Sequence, residues 1–169
     1  MLFEVPAILY EILKILGGSS LARSLPRTGR MTLIRSDLAQ AVIGLAIEIH
    51  RMLGPGLYEG VYESCLCEDL TEAGFRFVRQ HPLRVNYKRL AFPRAYRADL
   101  IVEGELLLEL KAIERILPVH EAQAMTYLRL AGVSQALLVN FNVPLLKYGI
   151  RSFLRDPSWP PIPSSPSCL

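Results

Sequence analysis

Every second residue is apolar on either side of Glu103-Gly104, and this alternation predicts a β-hairpin over residues 96–111. The alternating positions are Ala98, Leu100, Val102, Leu106, Leu108 and Leu110. Side chains along a strand point to the two faces of a sheet in turn, so these residues share one buried face. A turn centred on Gly104 then pairs Val102 with Leu106, Leu100 with Leu108 and Ala98 with Leu110.

The other face of this hairpin carries charge. The same register sets Asp99 opposite Glu109, with β-carbons ~5 Å apart, and Arg97 opposite Lys111. Like charges that face each other across two strands repel, so a cation must offset them. One interpretation is a solvated lattice in which each acid meets the basic residue diagonal to it. The other is a divalent metal held by Asp99 and Glu109, with Lys111 free to act on water or phosphate. The hairpin pattern alone favours the lattice.

Helical spacing of apolar residues begins after the capping pair Ser36-Asp37 and continues to Gly54-Pro55-Gly56. The repeating positions are Leu38, Val42, Leu45, Ile49 and Met52. A second helix is predicted from just after this turn to about Ala73, because Gly74 can take the left-handed position that ends a helix.

The second helix carries Glu59 and Glu63 one turn apart on one face. The pattern alone favours solvated carboxylates for both, because glutamate is a good helix former and is mostly exposed. Cys65 and Cys67 point in different directions on this helix, and with Cys168 they form neither a metal-ligand spacing nor an even disulfide set. A reducing, cytoplasmic location is therefore expected.

Two further strands are predicted before the hairpin, over Phe75–Gln80 and Leu83–Arg89, joined at His81-Pro82. The start of the hairpin is basic, with Lys88, Arg89, Arg94 and Arg97 close together in sequence. This cluster is interpreted equally well as a solvated edge or as a surface for phosphate. His50 and His81 each lack a second ligand at a metal-like spacing, which indicates structural roles.

A third helix is predicted from Pro118 to Gly132, with a core stripe at Ala124, Leu128 and Ala131. An adjoining face carries His120, Gln123 and Tyr127. This helix follows directly on the strand with Glu109 and Lys111, so it is well placed to lean over them. The apolar run from Gln135 to Phe141 is predicted to pair parallel to that strand through the helical crossover, which makes a βαβ unit.

The ends of the chain differ from its middle. A chain of 169 residues that is 51% hydrophobic can bury one core, and a net charge of +3 permits binding to a polyanion without requiring it. Residues 1–35 are expected to form a flexible leader. Its apolar run is too short and too charged to span a membrane, and it lacks the basic start of a secretory signal. Met31 is an alternative start of translation, in which case the leader would not belong to the native protein. The domain is expected over residues 36–155, followed by a disordered Pro/Ser-rich tail over 156–169.

The order of these elements resembles that of the PD-(D/E)XK nuclease superfamily, and five sequence blocks resemble its GxxExxY protein family. The first block, Gly56-Leu57-Tyr58-Glu59-Gly60-Val61-Tyr62, fits the Gly-x-x-Glu-x-x-Tyr signature. The others are Tyr96-Arg97-Ala98-Asp99-Leu100, Glu109-Leu110-Lys111-Ala112, Pro118-Val119-His120-Glu121-Ala122-Gln123 and Asn140-Phe141-Asn142-Val143-Pro144. Together they span roughly residues 36 to 153. The resemblance implies an α/β fold of α+β character with a restriction-endonuclease-like core, in which helices flank a mixed sheet in the order αα-βββ(β)-α-β.

The resemblance also implies roles for single residues. Asp99, Glu109 and Glu59 are the expected ligands of Mg²⁺ or Mn²⁺, with Glu63 or Glu48 as alternatives for the helix carboxylate. Lys111 is the expected catalytic lysine, and Gln123 is the auxiliary group, paired with Tyr127. The expected catalytic set is thus Glu59, Asp99, Glu109, Lys111 and Gln123, and the expected contacts to nucleic acid are Arg97, His120 and Tyr127.

Two classes of function are compatible with these expectations. The first is a metal-dependent nuclease that hydrolyses phosphodiester bonds in nucleic acid, with DNA expected as the substrate ahead of RNA. No association with a membrane is expected, and a homodimer is compatible with this function. The second is a nucleic-acid-binding or protein-interaction module that keeps the fold without turnover, and its charged face would be the ion-pair lattice. Binding of Mg²⁺ separates the two, and the resemblance favours the nuclease.

Overall fold

A five-stranded mixed sheet forms the centre of the computed structural model, which describes residues 37–159. The helices are α1 (Asp37–Leu53), α2 (Glu59–Glu72) and α3 (Pro118–Ala131), with a short 3-10 helix at Leu146–Tyr148. The strands are β1 (Phe77–Tyr87), β2 (Leu90–Val102), β3 (Leu106–Lys111), β4 (Gln135–Asn140) and β5 (Ile150–Leu154). The α/β class and the mixed sheet flanked by helices are confirmed.

The strands lie side by side in chain order, from β1 to β5. All neighbours are antiparallel except β3 and β4, which are parallel and are joined by α3. The predicted βαβ unit is thereby confirmed. It places β3, the strand with Glu109 and Lys111, at the centre of the sheet with a neighbour on each side.

The β2–β3 hairpin has the predicted register as far as the ladder extends. Val102 pairs with Leu106 and Leu100 pairs with Leu108, and the backbone ladder runs between these two pairs. The predicted pair of Ala98 with Leu110 lies beyond its end. Ala98 packs instead in the core on the α3 side of the sheet, away from Leu100 and Leu110. The alternation therefore breaks at Asp99, which separates Ala98 from Leu100.

Residues 77–87 form one strand, so the predicted turn at His81-Pro82 is wrong. Pro82 pairs with Arg97 inside the β1–β2 ladder. Proline is tolerated here because β1 is an edge strand with a neighbour on one side only. The chain turns instead at Lys88, whose φ of 51° is left-handed, between the paired residues Tyr87 and Leu90.

Two apolar layers hold the helices to the sheet. On one face α1 and α2 pack against alternate residues of β2, β3 and β4, and the ring of Tyr62 stacks on Phe141 at 4.2 Å between centroids. On the other face α3 contributes Leu128, which packs with Leu107 and Ala136. The predicted stripe on α1 is buried at its centre, but its last member, Met52, is 76% exposed because α1 ends there, beyond the edge of the layer.

The predicted leader and most of the predicted tail lie outside the described residues. The tail begins with a turn in which the backbone N–H of Trp159 donates to the Asp156 carbonyl at 3.1 Å. Trp159 then packs against the core on the α3 side. Within residues 37–159, none of the helices is long and apolar enough to cross a bilayer.

Candidate active site

The site lies where the pairing of β2 with β3 ends. Asp99 Oδ2 accepts a hydrogen bond from the backbone N–H of Leu110 at 2.8 Å, so a side chain connects the two strands beyond the ladder. Glu109 and Lys111 are two positions apart on β3 and therefore point to the same face. Lys111 Nζ lies 2.6 Å from Glu109 Oε1. The structure thus brings together the two acids and the amine that the sequence pattern placed on one hairpin.

Glu109 is the most perturbed group of the site. Burial raises its pKa to about 7, and the charges of Asp99 and Glu59 act in the same direction, while Lys111 opposes them. The residue is only 2% exposed. Its Oε2 is buried and has no hydrogen-bond partner among the described residues. An unsatisfied buried carboxylate oxygen is costly, so this atom is free to accept a cation or a hydrogen-bond donor.

Asp99 shares this environment. Burial raises the pKa of Asp99, and the charge of Glu63 adds to the increase. Hydrogen bonds from Leu110 and Gln80, together with the ammonium of Lys111, lower the pKa of Asp99 and offset part of that increase.

Helix α2 brings a third carboxylate to the site. Glu59, its first residue, accepts a hydrogen bond from the backbone N–H of Ala112, which directly follows Lys111. Burial raises the pKa of Glu59, the Lys111 ammonium lowers it, and the charge of Asp99 raises it again. Because the charges of Asp99 and Lys111 both act on Glu59, its carboxylate lies within electrostatic range of the two residues.

The other two candidates for the helix carboxylate are placed differently. Glu63 is buried next to Asp99 but already accepts hydrogen bonds from Arg79 at 3.0 Å and Gln80 at 2.8 Å. Glu48 pairs with Arg51 at 2.8 Å on the surface of α1. Of the three, Glu59 is the one that borders Lys111 without an ion-pair partner of its own in the described chain.

Gln80 is a site residue that the sequence pattern did not single out. Its side-chain amide donates to Glu63 Oε2 at 2.8 Å and also to Asp99, so it links the two carboxylates. Its φ of 51° lies in the left-handed region, which costs free energy for any residue with a β-carbon. The β1–β2 ladder passes from Arg79–Leu100 to His81–Ala98 and skips Gln80 and Asp99. No pattern of apolar residues reveals such a local break.

Asn140 is a second residue whose role was not predicted, although it begins one of the five sequence blocks. Its side-chain Oδ1 accepts from the backbone N–H of Ile113 at 3.0 Å, and its Nδ2 donates to the Ile113 carbonyl at 2.8 Å. The backbone N–H of Phe141 donates to the Lys111 carbonyl at 2.8 Å. These bonds fix the chain directly after Lys111 and so hold its backbone in place.

Helix α3 covers the site from the other side. Gln123 Nε2 donates to the hydroxyl of Tyr127 at 2.8 Å. Tyr127 is 5% exposed, and burial raises the pKa of its hydroxyl. The charges of Glu109 and Lys111 have smaller effects on that pKa, so the hydroxyl lies within electrostatic range of both residues. The predicted Gln123–Tyr127 pair therefore exists and borders the charged cluster.

The other two residues predicted to contact nucleic acid lie at the margin of the site. His120 Nδ1 accepts from the backbone N–H of Leu117 at 3.1 Å, which caps the start of α3. Arg97 is exposed and forms no ion pair within residues 37–159. Neither diagonal ion pair of the predicted lattice is formed among the described residues, because Arg97 does not pair with Glu109 and Lys111 pairs along β3 with Glu109 rather than with Asp99.

Burial alone would lower the pKa of Lys111, but the three carboxylates around it raise that pKa, so the amine stays protonated at neutral pH. Glu59, Asp99 and Glu109 thus share a single ammonium, which leaves the ionised site with an excess of negative charge.

The donor set fits a hard divalent cation. Among the described residues, no group of three or more potential ligands lies close enough to hold a metal by side chains alone. Mg²⁺ does not require such a group, because it is usually bound through one or two carboxylates and retains several waters. Asp99 and Glu109 supply two carboxylates, and the unpartnered Oε2 of Glu109 supplies an available oxygen. The two carboxylates and the available oxygen match what a hard divalent cation needs.

One comparison with known proteins gives a match. The model of the PD-(D/E)XK nuclease superfamily matches residues 36–153, which contain every residue of the site. No curated protein and no solved structure matches the chain. The match is compatible with the GxxExxY family but does not single it out. With more than half of its length matched, the chain belongs to the PD-(D/E)XK nuclease superfamily.

Proposed function

We propose that this protein is a metal-dependent nuclease that hydrolyses phosphodiester bonds in nucleic acid, with DNA ahead of RNA as the substrate. The observation that carries this proposal is the buried, unpartnered Oε2 of Glu109 inside a cluster of three carboxylates and one ammonium. A site that only stabilised the fold would gain by pairing that oxygen.

Asp99 and Glu109 are the proposed ligands of Mg²⁺ or Mn²⁺, and Glu59 is proposed to act on the same ion through a water that the ion retains. A bound divalent cation would supply an activated water near neutral pH and would neutralise charge on the phosphate. Replacing Asp99 by Asn keeps the acceptor for Leu110 but removes the charge, so it tests the metal role without removing that bond.

Lys111 is the proposed catalytic amine. Its ion pair with Glu109 fixes Nζ next to the acids, and its positive charge there can orient a water or stabilise negative charge that develops on the phosphate oxygens. Gln123 and Tyr127 border Lys111 from α3, where the amide can position the amine or a phosphate oxygen. Burial of these groups strengthens each of their electrostatic interactions.

One observation favours the alternative, a binding module without turnover. Glu109 Oε1 is already occupied by Lys111 at 2.6 Å, so half of one proposed ligand is neutralised internally. In that case the charged face would need no metal, and Mg²⁺ would not bind measurably.

The test is cleavage of plasmid, linear duplex and single-stranded DNA with Mg²⁺ or Mn²⁺, together with calorimetric titration of Mg²⁺. Asp99→Asn is expected to weaken Mg²⁺ binding, and both Asp99→Asn and Lys111→Ala are expected to slow cleavage by about 100-fold or more. Glu103→Gln is the matched control, because Glu103 is an acid in the turn of the same hairpin that pairs only with Arg76. Asp99 and Lys111 variants that cut as fast as the parent would refute these roles.

The choice of helix carboxylate has its own comparison. Glu59→Ala is expected to reduce cleavage more than it reduces stability, because Glu59 borders Lys111. Glu63→Ala is expected to act first on stability, because it leaves Arg79 and Gln80 without their acceptor. Activity that survives in Glu59→Ala and vanishes in a folded Glu63→Ala would transfer the metal role to Glu63.

A further inference from the structure

Residues 82–97, which we call the β1–β2 arm, extend beyond the rest of the sheet. Within the arm β1 and β2 pair with each other, for example through Leu83 with Tyr96 and Val85 with Phe92. The ladder between β2 and β3 involves only residues 100–102 of β2. The arm is therefore a two-stranded ribbon that begins at Asp99 and projects away from the active site.

The arm is rich in positive charge. It contains Arg84, Lys88, Arg89, Arg94 and Arg97 and no acidic residue. Taking these five from the 19 Lys and Arg of the chain leaves 14, against 16 Asp and Glu. Within residues 37–159 the other elements contain nine Lys and Arg against 14 Asp and Glu, so the arm is a basic extension of an acidic body. All five basic side chains are exposed, and none forms an ion pair with the described residues.

Large apolar side chains are exposed on the same arm. Tyr87 is 60% exposed, Leu90 57%, Phe92 48% and Tyr96 46%. Leu90, Phe92 and Tyr96 are alternate residues of β2 and share one face of the arm with Arg94, and Tyr87 joins this face as the partner of Leu90. Lys88 Nζ lies 5.3 Å from the centre of the Tyr87 ring. At the base of the arm, the Tyr96 ring lies 5.4 Å from that of Tyr127, which borders the active site. Exposed rings are therefore present from the tip of the arm to its base, where Tyr96 contacts a residue that borders the catalytic cluster.

We propose that the β1–β2 arm binds a single-stranded segment of the nucleic acid substrate, with its basic residues on phosphates and with Tyr87 and Phe92 stacked on unpaired bases. The proposal rests on the proposed nuclease function only for the identity of the substrate. Basic residues interleaved with exposed aromatic rings are the surface that binds single strands without sequence preference. Paired bases in a duplex hide their faces, so a duplex would use the charges and leave the rings exposed.

The reach of the arm fits this role. From Leu90, directly after the turn, to Asp99, β2 spans roughly 30 Å at the usual rise per residue, so several nucleotides can lie along the arm before the nucleic acid enters the site. A second copy of the chain is a poorer occupant, because two arms that each carry five positive charges and no negative one repel.

The test measures binding of the full chain to labelled oligothymidylate and to a duplex of equal length, by fluorescence anisotropy in EDTA so that no cleavage occurs. Phe92→Ala and Tyr87→Ala are each expected to weaken binding of the single strand by about 5- to 100-fold and to leave duplex binding unchanged. Phe92→Leu should lose the same affinity as Phe92→Ala, because stacking requires the ring. Tyr148→Ala, a 63% exposed tyrosine near the opposite edge of the sheet, is the matched control.

The charges are tested in the same assay. The double variant Arg89→Ala/Arg94→Ala should weaken binding to both probes, and for the single strand it should reduce the slope of log affinity against log salt by about 0.7 for each phosphate that is no longer neutralised. Arg129→Ala, an exposed arginine on α3, should change neither the affinity nor the slope. Circular dichroism confirms that each variant is folded before it is compared.

Several results would overturn the proposal. Phe92→Ala and Tyr87→Ala variants that bind oligothymidylate like the parent would exclude stacking, and equal losses on duplex and single strand would exclude selectivity for unpaired bases. A parent dimer that arm variants convert to monomers, with unchanged affinity for the oligonucleotide, would make the arm a protein interface. Because the assay contains no metal, its outcome is independent of whether the protein cleaves.

Discussion

Replacement of Glu109 by Gln should stabilise the metal-free protein at alkaline pH, although it removes half of an ion pair. Burial raises the pKa of Glu109 from 4.5 to about 7. The unfolded chain then ionises first as the pH rises, so it binds fewer protons than the folded chain between these two values. The free energy of unfolding must therefore fall as the pH rises through this window and stay level above it.

The size of the effect follows from the shift in pKa. A difference between 4.5 and about 7 corresponds to roughly 3 kcal/mol of unfolding free energy at pH values above both. The amide introduced by Glu109→Gln carries no charge, so the variant avoids this loss while its amide oxygen can still accept from Lys111. The variant should exceed the parent by roughly 1 kcal/mol at about pH 5, where the unfolded chain is already partly ionised, and by roughly 3 kcal/mol at about pH 8.

The assay is urea unfolding in EDTA at both pH values, followed by circular dichroism. Glu103→Gln is the control of opposite sign, because hydrogen bonds from Arg76 lower the pKa of Glu103, so its charge favours the folded state. Saturating Mg²⁺ should restore the stability of the parent and leave Glu109→Gln unchanged, since a ligand that binds only the folded state stabilises it. If the unfolding free energies of the parent and of Glu109→Gln differ by the same amount at both pH values, ionisation of the buried Glu109 does not destabilise the folded protein, and the prediction is refuted.

Two further predictions concern single contacts. Tyr127→Phe should lower the unfolding free energy by about 1 kcal/mol, because Gln123 loses its acceptor. The same variant should reduce the kcat of DNA cleavage more than it raises KM. A change in KM alone would place Tyr127 in substrate binding. Lys88→Gly should raise the midpoint of thermal unfolding, because glycine adopts the left-handed φ of this exposed turn without strain, and the unfolding free energy should rise by about 1 kcal/mol. A lower midpoint would contradict the assigned turn.

The sequence predicts those parts of the fold that a strong period determines. Alternation around Gly104 is enough to place Val102 opposite Leu106, since a slip by one residue would move every leucine of β3 to the wrong face. The crossover from β3 through α3 to β4 follows from the helical stripe and the apolar strand after it. These elements also bring Asp99, Glu109, Lys111 and Gln123 into one region.

The parts that the sequence does not predict depend on contacts between distant residues. Gln80 adopts its left-handed conformation where its amide links Glu63 to Asp99, and neither partner is near it in sequence. His81-Pro82 resembles a turn, and only its place in an edge strand lets the chain continue through it. Local patterns contain no information on either circumstance.

Fewer hydrogen bonds connect the strands at Asp99 and Glu109 than at the ladder pairs that precede them. Glu109 lies on the central strand and pairs with Leu138 of β4, whereas Asp99 lies at a gap in the β1–β2 ladder and beyond the end of the β2–β3 ladder, where its side chain accepts one hydrogen bond from Leu110 of β3. One side-chain hydrogen bond, beside the last ladder pair of Leu100 with Leu108, therefore sets the distance between the two acids, and binding of nucleic acid to the arm that continues from Asp99 can alter that distance. A protein built in this way can keep its amine and one acid rigid while the other acid adjusts to what the ribbon holds.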